Sequence, residues 1–216
     1  MVYVVSLNLP KPDLFLLNKQ LVFANYMNIK PIICINKTDL DSENMVDIIE
    51  NEYRKIGYTV LKTSAKNNEG IDELKKVLRG NITAFSGNSG VGKSTLINAI
   101  FGEKITEEGE ISKKNKKGKN TTTAVSLYKI EENTYIADTP GFSTFEIDEI
   151  EITDLDKNFI EFRDPIKDCE FVGCTHILEK NCGVKEALNR NKISEERYES
   201  YIKIYNYLKD KEEHKW

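Results

Sequence analysis

Four clusters in this chain combine residue types that bind phosphate, a purine edge or a metal ion. Gly87-Asn88-Ser89-Gly90-Val91-Gly92-Lys93-Ser94-Thr95 fits the pattern G-x-x-x-x-G-K-[ST]. Its glycines let backbone N–H groups turn inward around an anion. Lys93 can then reach the β- and γ-phosphates of a nucleotide, and the Ser94 hydroxyl can bind Mg²⁺. Asn36-Lys37-Thr38-Asp39 fits N-K-x-D. A carboxylate at Asp39 accepts two hydrogen bonds from guanine N1–H and N2–H₂. Adenine offers no such pair on that edge and would leave the acid unpaired. Lys37 would lie along the base plane, and Asn36 would tie this loop to the phosphate loop. Ser64-Ala65-Lys66, after the next apolar run, can present a backbone N–H to the guanine O6.

Asp138-Thr139-Pro140-Gly141 fits D-x-x-G, with Asp138 holding Mg²⁺ through water and the Gly141 N–H sensing the γ-phosphate. Thr121-Thr122-Thr123 offers switch hydroxyls for the same metal. Residue type does not choose among the three, and Thr122 stands for them here. Cys169, Cys174, His176 and Cys182 give C-x4-C-x-H-x5-C, three thiolates and one imidazole that complete a closed, structural tetrahedral zinc shell. A catalytic zinc would keep an open position for water. The segment around these ligands is poor in apolar strand or helix before residue 184. Zinc, worth about 10–16 kcal/mol of apparent folding free energy in small domains, could supply the stability it lacks. The fourth cysteine, Cys34, sits within an apolar strand and reads as core.

The elements that must position these groups alternate from the start. Val2–Leu7, Pro31–Asn36, Tyr58–Ser64 and Asn81–Ser86 are short runs rich in Val, Ile, Tyr and Phe that predict buried strands. Helical patterns lie between them, at about 13–28, 42–56 and 70–79. Thr95–Phe101 predicts the helix that a phosphate loop must open, its N-terminus adding to the pull on phosphate. Ala124–Ile130 and Thr134–Asp138 predict a hairpin. The pattern is that of an α/β fold whose mostly parallel sheet is covered on both faces. Each phosphate- or base-binding cluster falls at the end of a strand. Their order is unusual: ordinary GTP-binding domains run phosphate loop, switch threonine, D-x-x-G, N-K-x-D, Ser-Ala-Lys. Here the last two come first, a circular permutation.

After about residue 145 the character changes. Acidic residues crowd Glu146–Asp156, the cysteine cluster follows, and a helix from about Ser194 carries Tyr198, Tyr201, Ile202, Tyr205 and Leu208 on one face, a stripe read as packing. Residues 1–145 are expected to form the nucleotide-binding domain and 146–216 a small helical zinc-binding domain. The 216 residues carry 31 Lys+Arg and 35 Asp+Glu, a net charge of −4, which argues against wholesale coating of nucleic acid. The Lys113–Lys119 run, with five lysines in seven residues, reads as solvated. No apolar run approaches the roughly twenty residues of a membrane span, and no secretory signal is visible. Four cysteines are too few for a disulfide scaffold, so a reducing, cytoplasmic setting is expected.

Taken together, these motifs resemble the ribosome small-subunit-dependent GTPase A family, circularly permuted GTPases that assist late maturation of the bacterial 30S subunit. The resemblance spans essentially the whole chain. It also rests on Phe159-Ile-Glu-Phe-Arg163 before the cysteine cluster, and on Cys174-Thr-His176 and Cys182-Gly-Val184 within it. It implies a GTP-hydrolysing P-loop domain with Mg²⁺, GDP as product, one structural zinc, and a monomer that meets the small ribosomal subunit and its rRNA. Two departures carry expectations. The family normally begins with an OB-fold domain, which is expected to be absent here because the chain starts at the first strand of the GTPase domain. Asn120 stands where the family has His, and Asn cannot serve as an acid or base. Phe142, after D-x-x-G, occupies the place where a Gln would orient the attacking water, so hydrolysis is expected to be slow without an activator. The alternative is a nucleotide-gated binding module with negligible turnover; a zinc-dependent hydrolase fits poorly with a full metal shell.

Overall fold

The computed structural model describes residues 1–102, 126–138 and 147–214. Its strands are β1 (Val2–Ser6), β2 (Ile32–Asn36), β3 (Thr59–Thr63), β4 (Ile82–Ser86), β5 (Ser126–Glu131) and β6 (Thr134–Asp138). The helices are α1 (Leu14–Tyr26), α2 (Met45–Ile56), α3 (Ile71–Leu78), α4 (Lys93–Phe101), α5 (Gly183–Asn189) and α6 (Glu195–Glu213). All of the strands and helices expected from the sequence are present among the described residues, with ends shifted by a few residues; Ala124 and Val125, at the start of the expected hairpin, lie outside them. The short α5 and a series of 3-10 turns between Ile147 and Asp168 are additions to it.

The six strands form one sheet in the order β3-β2-β1-β4-β6-β5. Every pairing is parallel except β5 with β6, the hairpin whose turn places Asn133 at φ 57°. β1 and β2 are buried at all five positions, as continuous Val/Ile runs in the middle of a parallel sheet must be. Helices α3 and α4 close one core with the sheet, through Leu74, Leu78, Leu96, Ile97 and Ile100 packed on Val2, Val4, Ile32, Cys34 and Ile136. Cys34 is fully buried, and burial pushes its thiol up to about 12 despite a hydrogen-bond partner in Thr63, so it is an inert core residue.

The chain divides into two compact units: Met1–Asp13 with Pro31–Thr144, and Leu14–Lys30 with Phe145–Trp216. The linear split at 145 therefore leaves out one exchange, because α1 groups with the C-terminal unit. The reason lies in its polar residues. Arg197 of α6 is fully buried; it donates to Glu161 Oε1 at 2.6 Å and Oε2 at 3.0 Å, and to Asn18 Oδ1 on α1 at 3.0 Å. Asn18 in turn donates to Ser200 Oγ at 2.9 Å, and Asn25 Nδ2 to the Asn158 carbonyl at 2.8 Å. A buried guanidinium needs this full set of acceptors, and α1 supplies one of them. Val22, Ile147, Ile150, Leu155, Phe159, Phe162, Tyr201, Ile204 and Leu208 form the core of this unit, and the tyrosine stripe of α6 packs into it. Among the described residues no helix is long and apolar enough to cross a membrane.

Candidate functional site

The ends of β2, β3 and β4 carry Asn36, Thr63 and Ser86, so the loops that follow them emerge at the same edge of the sheet. β1 lies between β2 and β4, and strand order runs in opposite directions on its two sides, the arrangement that places ligands beyond the strand ends in open α/β sheets.

Asn36 ties three loops together. Its Nδ2 donates to the Val91 carbonyl at 2.9 Å, and its Oδ1 accepts from the Ala65 N–H at 3.2 Å and the Thr63 hydroxyl at 3.1 Å. At 1 % exposure it is a buried bracket. Two glycines make the close approach possible. Gly92, at φ 97°, would place a Cβ 2.3 Å from Asn36 Nδ2, and Gly87 would place one 2.2 Å from the Val4 carbonyl oxygen. Neither position admits a side chain.

Lys37 adopts left-handed backbone at φ 62° and stretches its ammonium to the carbonyls of Leu9 and Gly90, the latter at 2.7 Å. Its aliphatic stem thereby runs from the N-K-x-D loop to the phosphate loop. The Thr38 hydroxyl donates to the Thr63 carbonyl at 3.2 Å, and the buried Ser64 hydroxyl donates to Asp39 Oδ1 at 2.6 Å. Asp39 itself is exposed, so a carboxylate braced from behind is open to a ligand. The half-buried Ala65, with its N–H on Asn36, and the exposed Lys66 complete this rim.

In the phosphate loop Gly87, Asn88, Ser89 and Gly90 curve from β4 to Val91, which is buried, and Gly92 precedes the first turn of α4. Lys93 donates to the carbonyls of Gly87 at 2.7 Å and Asn88 at 2.9 Å; burial pulls its ammonium below the ordinary lysine range. Ser94 and Thr95 follow on the same helical turn. Sequence reasoning missed a further wall: the β1–α1 connection. Besides the Leu9 carbonyl on Lys37, the Ser6 hydroxyl donates to the Pro10 carbonyl at 2.7 Å and Asn88 Nδ2 donates to Asp13 Oδ2 at 3.2 Å. No motif marks Leu9 or Pro10, because they act through backbone oxygens. Asp138 ends β6, the strand paired directly with β4, and only its backbone is described. Lys113–Lys119, Asn120, Thr121, Thr122, Thr123, Gly141 and Phe142 lie outside the described residues.

The metal-type cluster belongs to the other unit. The ligand atoms of Cys169, Cys174, His176 and Cys182 all lie within 4.8 Å of one another. Cys169 Sγ is 3.9 Å from Cys182 Sγ, and His176 Nδ1 is 3.3 Å from Cys182 Sγ and 3.6 Å from Cys169 Sγ. These are separations of the order of the edges of a small tetrahedron, and three sulfurs with one imidazole nitrogen are the donor set of a closed zinc site. Burial pushes the Cys174 thiol up to about 12 and raises Cys182 as well, so adjacent thiolates need a cation between them. The residues fit zinc.

The loop is built for rigidity. Burial of Glu179 works against its charge, but the backbone N–H groups of Thr175, Glu179 and Ile177 and the Thr175 hydroxyl outweigh it and hold the carboxyl down at about 2. Lys185 donates to the carbonyls of Ile177 and Glu179. The hydroxyls of Tyr198 and Tyr201 bond the carbonyls of His176 and Thr175 at 2.5 and 2.9 Å. Glu179 carried no recognisable spacing signal.

A phosphate loop, an N-K-x-D loop and a Ser-Ala-Lys loop on parallel strands of one sheet, met in permuted order, define a circularly permuted P-loop GTPase fold. Comparison with known proteins narrows the class. A sequence model of the RsgA GTPase family matches residues 1–148. The small ribosomal subunit biogenesis GTPase RsgA of Ruminiclostridium cellulolyticum is 44% identical over 207 residues, which cover 96% of this chain and 68% of that protein. The protein of the same name from Alkaliphilus metalliredigens is 41% identical over 208 residues, 96% of this chain and 71% of its own. Of solved structures, YjeQ from Thermotoga maritima superposes with a TM-score of 0.80 at 38% identity, covering 96% of this chain and 70% of that one. YloQ, described as a circularly permuted GTPase, gives 0.79 at 30% identity, with 98% and 68% covered. This chain belongs to the RsgA GTPase family. Membership in a GTPase family brings GTP as substrate, GDP as product and Mg²⁺ with it.

Proposed function

We propose that this chain hydrolyses GTP to GDP and phosphate in the service of small ribosomal subunit biogenesis, slowly by itself and faster on the 30S subunit. The observation that carries this reading is the Asn36 bracket, which holds the guanine-type and phosphate-type loops in one site. The relatives' names supply the ribosomal context. Asp39, fixed by Ser64, reads the guanine N1–H and N2–H₂, while Lys37 covers the base and the Ala65 N–H meets O6. Lys93 turns from the carbonyls of Gly87 and Asn88 to the β- and γ-phosphates, which gather the N–H groups of residues 88–95. Ser94, with Thr122 and Asp138, would hold Mg²⁺, which would supply positive charge to neutralise the charge that develops on the phosphates. Gly141 senses the γ-phosphate.

Phe142 cannot orient water, so the subunit has to supply order or charge at the switch; such a contribution is worth roughly 10³–10⁵ in rate where a partner provides it. The zinc-holding unit meets rRNA, and the protein works as a monomer in the cytoplasm. Sedimentation of the chain with purified 30S subunits, loaded with a non-hydrolysable GTP analogue or with GDP, tests this reading. Preferential co-sedimentation of the GTP-analogue form is expected, and equal or absent association with both would overturn it.

A further inference from the structure

The imidazole of His176 has two faces with different partners. Nδ1 points at the sulfurs, 3.3 Å from Cys182 Sγ and 3.6 Å from Cys169 Sγ. Nε2 points the other way, 3.3 Å from Asp156 Oδ2. The ring is 1 % exposed and Asp156 is largely covered, with 19 % of its side chain accessible. Phe162 meets the ring edge-on at a centroid distance of 6.0 Å and Tyr201 lies at 6.1 Å, so the ring cannot flip without displacing the aromatic core. The Tyr198 hydroxyl on the His176 carbonyl fixes the backbone, which sits at φ 62°. Asp156 is twenty residues upstream of its partner, in a 3-10 turn of the acidic segment, where nothing in the spacing of the cysteines marks it.

We propose that Asp156 is a positioning residue for the metal: it accepts the Nε2–H of His176 and fixes the imidazole in the tautomer whose Nδ1 is free to bind zinc. An outer carboxylate behind a ligating histidine acts in this way in metal sites generally, and its removal costs about 10–100-fold in metal affinity. A second consequence is topological. The acidic segment Ile147–Phe162 carries no cysteine, yet through Asp156 it becomes part of the metal centre's scaffold, and through Glu161 it also holds Arg197 of α6. The segment from Ile147 onward is therefore anchored at the metal cluster before the first cysteine is reached.

This inference rests on the reading of the Cys₃His cluster as a zinc site, and the experiment separates the two. Zinc affinity of the full chain is measured by competition with a chromophoric chelator for the native protein, Asp156→Ala and Asp156→Asn. The native protein with ¹¹³Cd in place of zinc is examined by ¹H–¹⁵N long-range correlation of the imidazole. Stoichiometric metal binding, with Nδ1 coupled to ¹¹³Cd and Nε2 protonated, is expected. Asp156→Ala should bind zinc 10–100-fold more weakly. Asp156→Asn, which keeps an acceptor oxygen but loses the charge, should fall between the two. Native protein that binds no zinc would overturn the metal site itself. Tight zinc binding in which Nε2 is the ligand, or an affinity within twofold of native in both variants, would overturn the role of Asp156 alone. If Asp156→Ala does not fold, the native spectrum and Asp156→Asn decide the matter.

Discussion

Replacing Asp39 by Asn should convert a guanine site into a xanthine site, and the structure says which way the new amide will face. Ser64 Oγ lies 2.6 Å from Asp39 Oδ1 and donates to it, and Ser64 is itself fully buried. In Asp39→Asn that hydroxyl keeps the amide oxygen on its own side, which leaves the N–H₂ toward the purine. Guanine then meets donors with donors. One charge-assisted hydrogen bond, about 1.5–3 kcal/mol, is lost, and facing donors add about 1 kcal/mol, so GTP affinity should fall by about 2.5–4 kcal/mol, or roughly 10²–10³-fold. Xanthine carries a carbonyl at C2 and accepts from the amide, so XTP should gain what GTP loses. Competition of GTP, XTP and ATP against a fluorescent guanine nucleotide measures all three affinities on both proteins. A loss of GTP affinity below tenfold, or no gain for XTP, would refute the assignment of Asp39 and the orienting role of Ser64.

Other substitutions and conditions probe the supporting structure. Gly92→Ala puts a Cβ 2.3 Å from Asn36 Nδ2 at φ 97°, so it should weaken nucleotide binding at least tenfold, read by calorimetry, while leaving helix content by circular dichroism unchanged. Glu161→Ala removes the carboxylate from the fully buried Arg197 guanidinium and should destabilise its unit by about 3–5 kcal/mol in urea unfolding; a loss under 1 kcal/mol would mean that its remaining partners, Asn18 among them, satisfy it. Chelation of zinc should abolish amide-exchange protection in 147–189 and, because α1 belongs to the same unit, in Leu14–Tyr26, while β2 and β4 stay protected. Protection of α1 that survives metal loss would contradict that grouping.

Most of the candidate nucleotide site could be proposed from the sequence because its chemistry is local in the chain. A phosphate loop must join a strand to a helix, and a guanine loop must follow a strand, so motif and element confirm each other. The strands were clear for the same reason: Val2–Ser6 and Ile32–Asn36 are apolar at nearly every position, which only a doubly covered parallel strand explains. Less was visible where partners are far apart in the chain. Nothing near Asn18 announces that its amide meets Arg197, 179 residues away, so α1 looked like any crossover helix of the sheet. Asp156 and Glu179 were hidden likewise, since a carboxylate behind a histidine or under a turn has no fixed spacing to its partner. Leu9 and Pro10 were invisible in principle, because a backbone carbonyl that meets Lys37 or Ser6 can belong to any residue type.

Release of phosphate from GTP by the purified chain, followed under single-turnover conditions with and without an excess of 30S subunits, bears most directly on the function proposed here. Tight GTP binding with slow release alone, and acceleration of at least tenfold by 30S subunits at low salt, is the predicted result. Rapid hydrolysis that 30S subunits leave unchanged would contradict it, and so would no hydrolysis in either condition, which would instead mark a nucleotide-gated binding module.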